Sequence, residues 1–114
     1  MKQSEAKIQR AIRLALGRLP DLVLFRNQVG VAQYGDSRFA RYGLMVGASD
    51  LVGIMAPYGR WVAIEIKQPG EKLTHPQILF LKLIERMGGF AAVVHSVDEA
   101  RAAIQQCRDS VMVR

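Results

Sequence analysis

Two apolar segments separated by a short turn sequence constrain the fold of this chain more than any other feature. The segments are DLVGIMA and WVAIEIK, and the PYGR between them is typical of a turn. We predict an antiparallel β-hairpin with Tyr58 and Gly59 at its tip. Its second strand is apolar apart from Glu65 and Lys67, which share one face because side chains alternate along a strand.

The predicted hairpin brings two carboxylates together on that face. Val52 pairs with Glu65 and Asp50 with Lys67, so Asp50 and Glu65 are diagonal neighbours with Cβ atoms about 7–8 Å apart. Two carboxylates at that separation can share one divalent cation, and an oxygen-rich site suits Mg²⁺ or Mn²⁺. Lys67 can then orient a water or neutralise charge on a phosphate. The alternative is a cross-strand ion pair between Asp50 and Lys67 at a partly solvated end of the sheet.

Helices and two further strands are predicted around the hairpin. The elements are, in chain order, a helix from Ser4 to Pro20, a buried strand over 22–26, the two hairpin strands, a helix from Thr74 to about Met87, a strand over 90–96 and a helix from Ser96 to about Cys107. Residues 27–47 fit no single element. The order α-β-β-β-α-β-α predicts an α/β fold with a mixed sheet flanked by helices. A length of 114 residues suits a single domain, 1–114.

The composition indicates an anionic partner. The formal net charge is +6, and Arg supplies 11 of the 16 basic residues, a bias that suits the binding of phosphate. The side chains that we predict to contact nucleic acid lie on both sides of the hairpin in sequence, and they are Arg26, Asn27, Arg38, Arg41 and Lys72. The alternative is a basic surface without a binding role.

The sequence lacks features that are typical of secreted and membrane proteins. The single cysteine, Cys107, allows neither an internal disulfide nor a cysteine zinc cluster. The start, MKQSEAKIQR, has no apolar signal core, and no stretch approaches the length of a membrane span. We expect a cytoplasmic protein with no membrane partner.

The sequence also resembles a known family. GASDL, then AIEIK, then HPQ after a loop are similar to the motifs of the VRR-NUC nucleases, which belong to the PD-(D/E)xK, restriction-endonuclease-like superfamily. The resemblance covers nearly the whole chain, from Glu5 to the last strand. It implies the restriction-endonuclease-like fold and metal-dependent hydrolysis of DNA, with Mg²⁺ or Mn²⁺ and no organic cofactor. One departure is Ser49, which stands where many members have proline.

The resemblance implies a set of catalytic residues. These are Glu5 on the first helix, Asp50, Glu65 and Lys67 as the D…E-x-K core, and Gln77 on the following helix. Asp50 and Glu65 are the implied metal ligands, joined by the backbone carbonyl of Ile66 and by Glu5, directly or through a water. Lys67 is implied as the electrostatic catalyst.

Glu5 and Gln77 also have structural interpretations. Glu5 continues the apolar stripe of Ile8 and Ile12 and therefore points inward, but an acidic residue in a first turn is also favoured by the helix dipole. Gln77 forms a capping box with Thr74, which accounts for it without any catalytic role.

The resemblance further implies a substrate and an assembly, because small standalone members of the family look like junction-resolving dimers. We expect branched DNA, such as a four-way (Holliday) junction, as substrate, and a symmetric homodimer in a bacterial or phage-infected cell. The segment from Tyr34 to Val46 mixes aromatic residues with Arg38 and Arg41, the composition of an interface centre. The alternatives are a flap or single-strand-junction nuclease and a non-catalytic, basic nucleic-acid-binding module.

Overall fold

The chain forms three helices and six strands in a computed structural model that describes residues 4–27, 30–35 and 38–111. In chain order the elements are α1 (Glu5–Leu16), β1 (Leu22–Arg26), β2 (Gly30–Tyr34), β3 (Arg38–Tyr42), β4 (Leu51–Met55), β5 (Arg60–Ile66), α2 (His75–Arg86), β6 (Phe90–Val94) and α3 (Val97–Val111). In that part of the chain, no helix is both long enough and apolar enough to cross a bilayer.

A four-stranded mixed sheet organises the fold. Its strand order is β1-β4-β5-β6, with antiparallel pairing from β1 to β5 and parallel pairing between β5 and β6. This confirms the predicted α/β architecture of a mixed sheet flanked by helices. Strands β2 and β3 form a separate antiparallel hairpin within the segment that the sequence pattern left unassigned.

The helices cover the two faces of the sheet unequally. The larger apolar core lies on the face covered by α1 and α3, and it includes Ile12, Leu51, Ile64 and Ile104, all fully buried. A smaller core on the opposite face joins strands β4 and β5 to α2. Full burial of an aliphatic side chain stabilises a fold by about 1.5–3 kcal/mol. The larger core therefore provides most of the apolar contacts that hold the sheet against the helices.

Helix α1 follows its sequence pattern closely. The Oγ of Ser4 accepts a hydrogen bond of 3.2 Å from the backbone N–H of Lys7, as expected of an N-cap. Ile8, Ile12 and Leu16 form the buried stripe. The helix ends at Leu16, before the predicted stop at Pro20.

The hairpin of β4 and β5 forms as predicted, but its register is shifted by two residues. Val52 pairs with Ala63 and not with Glu65, because a four-residue turn over 56–59 connects the strands in place of a two-residue tip. An even shift keeps every side chain on its predicted face. Continuing the register by one residue beyond β4 places Asp50 directly opposite Glu65, where Cβ atoms lie about 4.5–5.5 Å apart.

Two other predictions about elements need correction. Strand β1 is buried on one face only: it is an edge strand, and while Leu22 lies in the larger core, Val23 and Phe25 are 53% and 49% exposed on the sheet face that α2 leaves open. Helix α3 continues past Cys107 to Val111. Its predicted N-cap holds, since the Oγ of Ser96 accepts a hydrogen bond from the N–H of Glu99.

Candidate active site

Three polar or charged side chains are buried in the described part of the chain, and all lie where β4 and β5 meet α2. Ser49 is fully buried, Glu65 is 2% exposed and Lys67 is 5% exposed. Removing a charge from water costs several kcal/mol unless other groups compensate for it. The burial of these groups is therefore not explained by stability and indicates a functional role.

Glu65 lies at the centre of the cluster. Its Oε1 accepts a hydrogen bond of 2.9 Å from Nε2 of Gln77, and Nζ of Lys67 lies 4.0 Å from the same oxygen. Burial, reinforced by the negative charges of Asp50 and Glu5, raises the pKa of Glu65 to about 7, although Lys67 and Ser49 act in the opposite direction. The site thus disfavours a charge on Glu65 unless a further cation is present.

Two buried oxygens of the cluster, on Glu65 and Ser49, lack a well-formed hydrogen bond in the described residues, although Ser49 lies close enough to counter the rise in the pKa of Glu65. Within residues 4–27, 30–35 and 38–111, neither Oε2 of Glu65 nor Oγ of Ser49 has a hydrogen-bond partner of ordinary geometry. Buried polar atoms are nearly always satisfied in folded proteins. An unsatisfied carboxylate oxygen beside a second carboxylate is suited to a cation or a water.

Asp50 is positioned by the edge strand of the sheet. The backbone N–H of Asn27, just after β1, donates a hydrogen bond of 2.7 Å to the carbonyl of Asp50. Burial raises the pKa of the half-buried Asp50 carboxyl, against the positive charges of Lys67 and Arg26. Asp50 and Glu65 therefore form a pair of partly desolvated carboxyls.

The loop before Asp50 packs directly on α2. Gly47 has a φ of +87°, and a Cβ there would overlap the carbonyl of Pro76, so this close contact requires glycine. Asn27 holds the same loop from the other side, since its Oδ1 accepts a hydrogen bond of 3.1 Å from the N–H of Leu44. These contacts place Ser49 and Asp50 beside the start of α2.

Gln77 both caps α2 and contacts the site, the two roles that the sequence presented as alternatives. Its Oε1 accepts the N–H of Thr74 and its backbone N–H donates to Oγ1 of Thr74, which completes the capping box. The other end of the same amide, Nε2, reaches Glu65. The cap therefore orients the side chain that contacts the buried carboxylate.

Lys67 is held by two carboxylates and does not form the alternative ion pair with Asp50. Its Nζ lies 3.6 Å from Oε2 of Glu71 and 4.0 Å from Oε1 of Glu65, and the described salt bridges include none between Lys67 and Asp50. The backbone N–H of Lys67 donates to the carbonyl of Val94, which extends the parallel pairing past the end of β5. The ammonium is thus fixed inside the cluster.

Glu71 belongs to this cluster, although it was not among the predicted site residues. Its Oε1 accepts the N–H of Gln68 at 2.9 Å, and this bond, with the charge of Lys67, lowers the pKa of Glu71. The available signal was its spacing of four residues from Lys67, a common distance for oppositely charged pairs in helices. In a loop, residues four apart need not be neighbours in space, so the sequence alone gave no reason to select Glu71.

Glu5 reaches the cluster from the first turn of α1. Burial, followed by the negative charge of Glu71, raises the pKa of Glu5, while Lys67 lowers it. The half-buried Glu5 therefore points inward as predicted, and the structure brings it together with Asp50, Glu65, Lys67 and Gln77.

The predicted nucleic-acid contacts lie in different environments. Arg26 at the end of β1, Arg38 and Lys72 are exposed. Asn27 is half-buried and positions Leu44 and Asp50, as described above. The side chain of Arg41 lies outside the described part of the structure.

The acidic residues that the structure describes do not form a three-ligand metal site by themselves. Within residues 4–27, 30–35 and 38–111, no group of three or more His, Cys, Asp and Glu side chains is arranged to hold a metal ion. The most suitable pair is Asp50 and Glu65, which register places opposite each other. Ile66, whose carbonyl is the predicted additional ligand, is the last residue of β5.

Comparison with known families gives an independent result. A family model for the VRR-NUC domain matches residues 31–98. The matched range contains four of the five predicted catalytic residues and leaves out Glu5. A search of curated proteins found no match to the chain.

Proposed function

The chain belongs to the VRR-NUC family of nucleases, and from this premise we propose that it is a metal-dependent DNA endonuclease. The observation that carries the proposal is the buried Glu65, whose Oε2 has no hydrogen-bond partner within the described residues although Asp50 and Lys67 lie beside it. An isolated buried carboxylate is costly. A site that binds a cation at the carboxylates and a phosphate at Lys67 accounts for these buried charges.

The side chains present fit Mg²⁺ or Mn²⁺. Both ions prefer oxygen ligands, and the carboxylates of Asp50 and Glu65 would hold one, with the carbonyl of Ile66 as a third protein ligand. Glu5 would act through a water, since no three acidic side chains form a ligand set in the described structure. When bound, the metal supplies a water of lowered pKa and polarises the phosphodiester.

The remaining residues act on the substrate and on the ligands. Lys67 is buried with its ammonium 4.0 Å from Glu65, where it would stabilise negative charge developing on the scissile phosphate. Gln77 would keep the Glu65 carboxylate in one orientation through its 2.9 Å hydrogen bond. Glu71 would hold the Lys67 ammonium in place from its other side.

The nuclease unit that we propose is the whole chain, 1–114. The family match begins at residue 31, but α1 supplies Glu5 to the site and Ile8, Ile12 and Leu16 to the larger core. Without this helix both the site and the core would be incomplete.

We propose branched DNA, such as a four-way junction, as the substrate and a symmetric homodimer as the active form. One site cuts one strand at a time, whereas a two-fold dimer presents two sites to the paired strands of a junction. The apolar side chains of Met45 and Val46 are 57% and 58% exposed, inside the segment whose composition predicted an interface. Exposed apolar groups of this kind mark contact surfaces.

The test is a panel of labelled duplex, flap, single-stranded and four-way-junction DNAs with Mg²⁺, with Mn²⁺ and with EDTA. The expected result is cleavage only with a divalent ion, fastest on the junction. Preferential cutting of the flap would instead identify the protein as a flap nuclease. Binding without cleavage on every substrate would instead favour a non-catalytic nucleic-acid-binding module.

A further inference from the structure

A basic cleft lies between α1 and the edge strand β1. Its volume is about 280 Å³. It is lined mainly by Arg10 and Arg13 from the helix, by Leu24, Phe25 and Arg26 from the strand, and by Leu51 at the start of β4. Three guanidinium groups therefore surround one depression with apolar walls.

The guanidinium groups of this cleft form no close ion pair in the described residues, although the positive charge of Arg26 acts to lower the pKa of Asp50 against the larger effect of burial. Arg10, Arg13 and Arg26 are exposed, and none of them takes part in a salt bridge within the described part of the chain. Three positive charges at one depression create a local positive potential that favours an anion.

Two other arginines of the chain, Arg60 and Arg108, are committed to contacts within the fold. Arg108 binds Asp21 through two hydrogen bonds of 2.7 and 3.1 Å. Arg60 donates to the carbonyl of Gly88 and to Ser110. The arginines of the cleft lack such structural partners, which leaves their donors available to a ligand.

The cleft adjoins the candidate active site, since the charge of Arg26 acts on the Asp50 carboxyl. Arg26 pairs with Leu51 in the sheet, and Leu51 directly follows Asp50. On the helical side, Arg10 and Arg13 are five and eight residues beyond Glu5, which is about 8 and 12 Å along the axis of α1. Because a nucleic-acid strand advances about 3.4 Å per nucleotide, this span corresponds to roughly two to four nucleotides.

We propose that this cleft binds backbone phosphates of the nucleic-acid substrate, two to four nucleotides to one side of the scissile phosphate. The inference rests on the proposed function for the position of the scissile phosphate. Guanidinium groups match phosphate oxygens in geometry and can form two hydrogen bonds to one phosphate. The cleft would thus set the path of one strand through the site.

The first test is DNA binding by the full chain in EDTA, where no cleavage occurs. The double variant Arg10→Ala/Arg13→Ala is compared with Lys82→Ala/Arg101→Ala, which removes the same charge from exposed positions on α2 and α3. The cleft variant is expected to bind DNA about tenfold more weakly. The slope of log affinity against log salt concentration should be smaller by about two, because two phosphate contacts are lost. Equal affinity and equal slope in the two double variants would overturn the proposal.

The second test locates the contact along the strand. Single methylphosphonates, which lack the phosphate charge, are placed one by one on either side of the cleavage position. Wild-type affinity should fall for substitutions two to four nucleotides away on one side, with no further fall in the cleft variant. A fall that persists unchanged in the variant would contradict the assignment.

A third measurement distinguishes the backbone from a small anion and separates the two proposals. If millimolar inorganic phosphate raised the Tm of the wild type but not of the cleft variant, while DNA binding was unaffected, the cleft would be a small-anion site and the proposal would be wrong. If no DNA were cut but the cleft variant still lost affinity and salt dependence, the nuclease proposal would fail and the phosphate contact would stand.

Discussion

The side-chain amide of Gln77 donates a 2.9 Å hydrogen bond to the buried carboxylate of Glu65. The other end of that amide caps α2 through Thr74. One side chain therefore couples the start of a helix to the orientation of the proposed metal ligand. A change at Gln77 affects both the helix cap and the site, and the two effects can be separated because a second substitution alters the cap alone.

Gln77→Glu should keep the cap and impair the site. Glutamate at this position still completes a capping box, but it replaces the donor to Glu65 with a second carboxylate. We expect cleavage to fall by about tenfold or more, with α2 intact by circular dichroism. Cleavage at the wild-type rate would show that the contact between Gln77 and Glu65 has no catalytic importance.

Thr74→Ala is the matched control, because it removes the cap and leaves the donor to Glu65. Loss of an N-cap costs about 0.5–2 kcal/mol of stability, so the Tm should fall while the cleavage rate at saturating DNA stays close to that of the wild type. A parallel loss of rate would show that the cap positions the amide.

Glu65→Gln should abolish cleavage and stabilise the metal-free protein. The substitution is nearly isosteric and removes a buried negative charge that lies beside Asp50. Differential scanning fluorimetry should give a higher Tm than the wild type in EDTA, and added Mg²⁺ should raise the Tm of the wild type only. DNA binding should persist or strengthen, since an anion beside the phosphate is lost. Wild-type turnover in this variant would remove Glu65 from the proposed metal site.

The shared face of Asp50, Glu65 and Lys67 could be predicted from the sequence, because it depends only on the alternation of side chains. The predicted register was wrong by two residues, yet an even shift leaves every side chain on the same face. The capping box at Thr74 was equally accessible, since it depends on residues three apart. Local periodicity and local hydrogen bonding therefore carried most of the predicted site.

What could not be predicted depends on tertiary placement. Phe25 is exposed because β1 lies at the edge of the sheet, and strand order is not encoded in the apolar composition of the strand. Glu71 meets Glu5 and Lys67 because the loop after β5 turns back toward α1. Arg10 and Arg26 line one cleft only after α1 has packed beside the sheet. Each of these contacts joins segments whose relative position the sequence pattern leaves open.

Lys67→Ala should reduce turnover much more than metal affinity. The ammonium is proposed to act on the phosphate, and removing one such donor costs about 10²–10³ in rate. Lys67 is buried between Glu65 and Glu71, so its removal also leaves Glu65 without a neighbouring cation and should lower the stability of the variant. Cleavage kinetics and isothermal titration of Mn²⁺ test the two effects. Loss of metal binding without any other change would show that Lys67 organises the carboxylates.

Asp21→Asn should destabilise the protein at neutral pH and have little effect in strong acid. The bidentate Arg108 lowers the pKa of Asp21, so its contribution to stability is complete above the unfolded-state pKa and is lost as the pH falls through the lower folded-state pKa. Both side chains are about one-third exposed, which limits the effect to about 1 kcal/mol or less. Urea unfolding at pH 7 and near pH 2 measures the difference. An equal loss at both pH values would mean that the effect is not electrostatic.

Val46→Glu should convert the proposed homodimer into a monomer. Val46 and Met45 border an apolar groove of about 420 Å³ that Leu79, Leu83 and Arg86 of α2 also line. Burial of a carboxylate in this interface carries a desolvation cost that can exceed its attraction to a single arginine. Light scattering at micromolar concentration should give the mass of a dimer for the wild type and of a monomer for the variant. Lys82→Glu, an equally exposed position on α2 outside the groove, is the control and should stay dimeric. The monomer should retain divalent-dependent nicking of duplex DNA but lose paired cutting of the four-way junction. A wild-type protein that is monomeric and cuts linear duplex as fast as the junction would refute the dimer while leaving the nuclease assignment intact.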